Sequence, residues 1–165
     1  MKYSQILASF VLAMVLFLSP LTAQAASSSS VIRNFGNEEL NGKDYSGKSL
    51  IGIEFSNVDL KTANFSNADL RGVVFNGTFL EGANLHGVDF SEGIAYLVNF
   101  KGADLSDAVL TDAMMLRSLF DDVNVTNADF TNAVLDGVQV KKLCAKASGV
   151  NSKTGVDTRE SLGCR

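Results

Sequence analysis

The chain repeats itself every five residues. Every fifth residue from Leu40 to Val140 reads Leu, Tyr, Leu, Phe, Leu, Phe, Leu, Phe, Leu, Leu, Phe, Ala, Phe, Leu, Leu, Met, Phe, Val, Phe, Leu, Val. Twenty of these 21 positions are large and apolar, and the register holds over 105 residues. We call this position i. Position i−2 is small or aliphatic in all 18 repeats from Ile53 onward, and i+2 is Gly, Asn or Asp in 16 of 21.

Neither a helix nor a long strand can use this period. At ~100° per residue a five-residue step rotates by ~140° and scatters the apolar set around a helix. Along a strand the facing flips with each odd step. A short strand followed by a corner does fit. Residues i−2, i−1 and i point in, out and in, and i+1 and i+2 turn the chain, which is where Gly, Asn and Asp are useful. Sides of this kind wind into coils that stack at ~4.8 Å, and the spacing by itself shows only in-out-in plus a corner.

Stretches such as ANFSN (63–67), ADLRG (68–72), ANLHG (83–87), ADLSD (103–107) and ADFTN (128–132) resemble the A(D/N)LXX signature of the pentapeptide-repeat family. The resemblance covers residues 36–142 and implies an all-β fold, a right-handed quadrilateral β-helix. The segment from Leu143 to Arg165 is similar to the C-terminal segment of thylakoid-lumen members from cyanobacteria and plants.

The termini carry different signals. Lys2 leads a charge-free stretch from Ile6 to Leu18, Pro20 breaks it, and Ala23-Gln24-Ala25 is a small-x-small cleavage site. Residues 1–25 therefore read as a secretory signal peptide, with an uncleaved anchor as the alternative. Residues 26–35 are expected to form an N-terminal cap segment, with Val31, Ile32 and Phe35 over the open core. Residues 36–142 are expected to form the solenoid and 143–165 a C-terminal cap. The first i−2 positions, Glu38, Lys43 and Lys48, suit an open end where stems run to water. In the tail, Lys141 to Ala147 is expected to be helical and stopped by Gly149. Asp157 and Glu160 have capping-box spacing for a second short helix. Cys144 and Cys164, an even pair in an exported chain, read as a disulfide worth roughly 3 kcal/mol; free thiols or half a metal site are the alternatives. The tail is either a structural cap or a knob for a partner.

Little in the sequence points to chemistry. His86 is the only histidine. It falls at a corner with Ser66 and Ser106 one coil away, which allows a Ser-His pair but brings no third group. Asp59, Asp69, Asp89, Asp104 and Asp129 recur at i−1, where they match the repeat signature. No zinc-ligand spacing or phosphate loop is present, and no cofactor is expected.

Sorting i−1 residues by side singles out one face. The side with Asp44, Asn64, Asn84, Asp104 and Asn124 is polar throughout. The side centred on Phe55, Phe75, Ala95, Met115 and Leu135 instead carries Val74, Ile94, Met114 and Val134 outward, extended by Tyr96, Leu97 and Leu116 at its corner. At the centre of this stripe the repeat Gly93-Ile94-Ala95-Tyr96-Leu97 is inverted, small inside and large outside. Either a bulge tucks Ile94 or Leu97 into the core, or the stripe is exposed and docks a protein or a second copy.

The functional expectation is a non-enzymatic scaffold or protein-binding module, exported to the thylakoid lumen or the periplasm, with no membrane span after cleavage. The alternative is a DNA mimic inhibiting a topoisomerase, as some members of the family do. Export removes the chain from such a target, and the mature chain, with 13 basic and 18 acidic residues, is weakly charged for mimicry. The same acidic balance argues against nucleic acid as a partner.

Overall fold

A computed structural model describes residues 31–33 and 40–165. The signal-peptide expectation and most of the N-terminal cap segment lie outside the described residues. The elements are β1 (Val31–Arg33), β2 (Glu54–Ser56), β3 (Val74–Asn76), β4 (Ile94–Tyr96), α1 (Gly137–Cys144) and α2 (Thr158–Ser161). β2, β3 and β4 pair in parallel with partners 20 residues apart. Parallel bridges with the same spacing link the other sides, from Asp44↔Asn64 to Val109↔Asp129, and continue the β2–β4 side through Ile94↔Met114 and Met114↔Val134. The chain is a β-solenoid whose coil closes after 20 residues.

A corner occurs every five residues, and its chemistry is visible in the backbone. Every i+2 residue from Gly42 to Asn132 has φ between 54° and 67°. Glycine, asparagine and aspartate tolerate that left-handed conformation best, which explains their enrichment there. On three sides the N–H three residues after i returns to its carbonyl, as from Ala63 to Leu60 at 3.1 Å and from Ala68 to Phe65 at 2.9 Å. That bond with positive φ at its third residue is a type II turn. A second bond stiffens the same corner. The i−1 carboxylate or amide oxygen accepts from the N–H two residues on, as in Asp104 to Ser106 (2.9 Å) and Asn84 to His86 (3.0 Å). The recurring Asp and Asn residues are thus corner-builders, each an Asx turn.

The Phe75 side closes differently. Its i−1 residues have no short acceptor, and at the next corner the Val98 N–H donates to Ser118 Oγ (3.0 Å). The Ser118 hydroxyl donates in turn to the Ala95 carbonyl (2.9 Å), and Thr78 Oγ1 donates to the Phe55 carbonyl (2.9 Å). Both hydroxyls are buried. These two polar i−2 residues supply bonds that the backbone turn supplies elsewhere.

The core is two nested sets, large residues at i and small ones at i−2, all buried through the central coils. Tyr45 stacks on Phe65 at 4.9 Å, Phe55 on Phe75 at 5.2 Å and Phe100 on Phe120 at 5.1 Å. Burial of each large side chain contributes ~1.5–3 kcal/mol, so one coil supplies about four such terms.

The ends differ from the middle. β1 pairs with β2 at an offset of 23 residues, Val31 opposite Glu54, so it adds a strand to the Phe75 side outside the five-residue register. Lys43 and Lys48 are exposed, as an open end requires. At the other end the solenoid stops at Asp136, not at residue 142. Val138 fits an inward position in the sequence but lies in α1 and is 69% exposed. The helix begins four residues before the expected Lys141 and ends at Cys144, with Ala145 as its C-cap, instead of running to Ala147. Asp157 caps α2, accepting from the N–H groups of Arg159 and Glu160. The Cys144–Cys164 disulfide joins the end of α1 to the residues after α2. Leu143, Ala147 and Leu162 join the core cluster. Among the described residues, no helix is long and apolar enough to cross a membrane.

The tail also climbs the rod, which the sequence did not suggest. Asn151 Nδ2 donates to the Asn127 and Ala108 carbonyls, one and two coils up. Lys153 Nζ reaches the Gly87 carbonyl, another coil higher. The Asn127 N–H donates to the Ser148 carbonyl and the Phe130 N–H to Ser161 Oγ. These bonds occupy donors that an uncapped last coil would present to a neighbouring chain.

Candidate functional site

The three sides built with Asx turns are constrained outward by those turns. Asp and Asn at i−1 serve the fold, and on the Phe65 side they also bond between coils, Asn64 to Asp44 and Asn124 to Asp104. The Phe75 side has no Asp or Asn at i−1, and its outward residues are apolar in four successive coils, Val74 to Val134, whereas Phe79, Val109 and Leu119 on the other sides are separated by Asp or Asn.

The inverted repeat contains no bulge. Ile94 pairs in register with Val74 above and Met114 below, and Leu97 has the same φ, 57°, as the other corner residues. Ile94 stays outside at 37% exposure, while Ala95 is fully buried. The space left by Gly93 and Ala95 is filled from the neighbouring side by Phe90. Its ring stacks on Phe75 at 5.8 Å and lies so close to Gly93 that a Cβ there would meet three ring carbons at 2.5–2.6 Å. Beside this crossover a wholly apolar void of about 10 Å³ lies between residues including Phe75, Phe90, Phe100 and Met115. It holds at most a water with no polar partner, so it is no ligand site.

The predicted stripe is therefore assembled on one face. Ile94, Leu97, Met114 and Val134 are exposed; Val74, Tyr96 and Leu116 are half-buried. Ile94, Met114 and Val134 stack directly, one coil apart. Phe79 and Leu119 are exposed on the next side around, and the Lys61 ammonium sits 5.2 Å over the Phe79 ring. Arg117, which sequence reasoning passed over, lies with its guanidinium 5.8 Å over the Tyr96 ring. Its signal was legible: it is one of four i+2 residues between 42 and 132 that are not Gly, Asn or Asp, with Thr62, Glu92 and Leu97.

The other polar clusters resolve into structural pairs. His86 Nδ1 lies 2.9 Å from Ser106 Oγ and 4.0 Å from Asp107 Oδ2. Asp107 is the third group that the sequence had not placed near His86. Both neighbours meet the same ring nitrogen, whereas a nucleophile relay needs serine on one nitrogen and carboxylate on the other. Ser66 forms no bond to His86; its N–H donates to Asn64. Arg71 grips Asp69 through two bonds, Nε to Oδ1 at 2.8 Å and Nη2 to Oδ2 at 2.7 Å, and holds that carboxyl below its ordinary range. Lys142 lowers the Asp121 carboxyl similarly, at 2.7 Å, tying α1 to the preceding coil. The Ser46 N–H lowers Asp44. Among the described residues, no group of three His, Cys, Asp or Glu could hold a metal ion.

Comparison with known proteins agrees with this geometry. The family model for pentapeptide repeats matches in eight copies over residues 49–92 and 98–137. The five residues between them, 93–97, are the inverted repeat. A solved pentapeptide repeat protein from the Arabidopsis thaliana thylakoid lumen is 38% identical, over 77% of this chain and 88% of that one, with a TM-score of 0.54. The thylakoid lumenal protein TL20.3 of Arabidopsis thaliana is 55% identical over 40 residues, 24% of this chain and 14% of that protein. The cyanobacterial pentapeptide repeat protein HetL, from Nostoc, shares 21% identity over 64% of this chain and 39% of its own, with a TM-score of 0.44. From the five-residue register, the left-handed corners and these matches, the chain belongs to the pentapeptide-repeat family, and its relatives include proteins of the thylakoid lumen.

Proposed function

We propose that this chain is a non-enzymatic, exported protein-binding module of the thylakoid lumen, with a right-handed solenoid as scaffold and the Phe75 side as its docking face. One observation carries the reading. On the other three sides apolar outward residues (Phe79, Val109 and Leu119) are separated from one another by Asp or Asn, whereas this side stacks Ile94, Met114 and Val134 in the open over three successive coils. Exposed apolar rows of this kind on a rigid surface are characteristic of contact sites. The solved lumenal relative supports the lumen over the periplasm as the address.

The test has two parts. Fractionation of the organism's membranes locates the mature chain, which the reading puts in the lumen. Affinity capture from that compartment then compares wild type with Ile94→Asp and Met114→Asp, both surface changes that leave the core intact. Retention of every captured protein by both variants would sink the docking face.

A further inference from the structure

The apolar row runs between two charged edges. At the corner before it stand Glu92 and Asp112, one coil apart and both exposed. At the corner after it stands Arg117, also exposed, with Asp136 one coil on accepting from the Arg117 backbone N–H at 2.6 Å; in the coil of Asp136 the opposite corner holds the neutral Asn132. Asp112 and Arg117 lie in the same coil and bracket Met114, two residues before it and three after. Among the described residues neither side chain forms an ion pair; Arg117 meets only the Tyr96 ring through its guanidinium. Several other charges near corners are paired within the chain, as in Arg71–Asp69, Lys61–Glu81, Lys142–Asp121 and Lys146–Asp122.

This pattern is complementary to itself in one arrangement. Place two copies with their Phe75 sides in contact and a two-fold axis between them, parallel to the rods. The axis reverses strand direction across the interface and leaves every coil at its own level. Ile94 then faces Ile94, Met114 faces Met114 and Val134 faces Val134. Asp112 of each copy meets Arg117 of the other at the level of Met114. The alternative in-plane axis, perpendicular to the rods, runs them antiparallel and sets acidic edge against acidic edge. Isologous contacts require such self-complementarity, and like charges across an interface select against the wrong pose.

We propose that the occupant of the Phe75 side is a second copy of this chain, in a parallel two-fold dimer with an Asp112–Arg117 pair on each flank. The inference rests on the docking-face reading above and adds the partner. Sedimentation of the full chain, purified from the exported fraction of cells, should show a concentration-dependent dimer. Met114→Asp should weaken it at least about tenfold, and Asp112→Arg or Arg117→Asp alone by about threefold to tenfold. The double swap Asp112→Arg/Arg117→Asp should recover most of the loss, with circular dichroism confirming each fold. Val134→Cys should cross-link to itself on oxidation, which the antiparallel pose would prevent. A wild type that stays monomeric up to its solubility limit overturns the dimer, as does a double swap no tighter than the single ones. In a monomeric protein, loss of a captured lumenal partner in Met114→Asp would leave the docking face standing and refute only the second copy. Unchanged capture would refute both.

Discussion

Replacing Gly93 with alanine separates two accounts of the inverted repeat. By sequence pattern the change is a repair. Eight of the 18 i−2 positions from Ile53 onward are alanine, and alanine there restores the family signature. Gly93 is not among the positive-φ residues, so the backbone accepts a side chain. Burying a methyl and stiffening the unfolded chain should then stabilise by about 1–2 kcal/mol in sum. The structure predicts the opposite sign. The new Cβ would overlap Cε1, Cε2 and Cζ of Phe90 at 2.5–2.6 Å, about 1 Å inside normal contact. Phe90 must leave its stack on Phe75, forfeiting ~0.5–1.5 kcal/mol, and the surrounding core must strain by ~1–3 kcal/mol. The net is a destabilisation of about 1–2 kcal/mol, read as a lower urea midpoint at unchanged slope. In Phe90→Leu/Gly93→Ala the two costs should fall short of additive by about 1 kcal/mol, because a shorter residue vacates the site. A neutral or stabilising Gly93→Ala would refute the crossover of Phe90 and with it the explanation of why Ile94 stays outside.

Three further outcomes follow from the corners and the tail. Ser118→Ala should cost about 1–3 kcal/mol in urea unfolding, because the Ala95 carbonyl and the Val98 N–H lose their partner. Leu97→Gly should stabilise by about 0.5–1 kcal/mol, a rise in Tm of about 2–5 °C, by relieving a branched side chain at φ 57°. The same change should weaken docking, since Leu97 extends the exposed row. Asp69 and Asp121 have folded pKa values below their unfolded ones, held there chiefly by hydrogen bonds from Arg71 and Lys142. Their contribution is therefore present above the unfolded carboxylate value near ~4 and is lost as pH falls through the folded value. Acid titration of stability should show a fall below about pH 4 that is shallower in Asp69→Asn/Asp121→Asn.

The parts of the fold that were legible from sequence are those where one constraint acts on one residue type. Position i must fill a narrow interior and i+2 must accept positive φ, so both leave a record in every coil. The exposed stripe was legible because the Phe75 side is the one with no Asp or Asn at i−1, so its apolar outward residues follow one another coil after coil. What escaped depends on contacts between residues far apart in the pattern. Phe90 sits on one side and fills the gap on the next, so no rule about position i reveals it. Val138 and Val140 keep the register in the sequence, yet the chain turns into α1 there, with Val138 exposed. Asn151 and Lys153 carry no repeat signal, and their bonds to Ala108 and Gly87 span two and three coils.

Two adjacent methionines test the central claim, that the Phe75 side is a docking face. Met114 is 45% exposed and Met115 is fully buried, so the second is an internal control for the first. Peroxide oxidation read by mass spectrometry should modify Met114 and spare Met115 in the dilute purified protein. In intact lumen, at native concentration, a docked face predicts that Met114 becomes protected by about tenfold while Met115 stays unreactive. Equal Met114 oxidation in both settings would contradict the account.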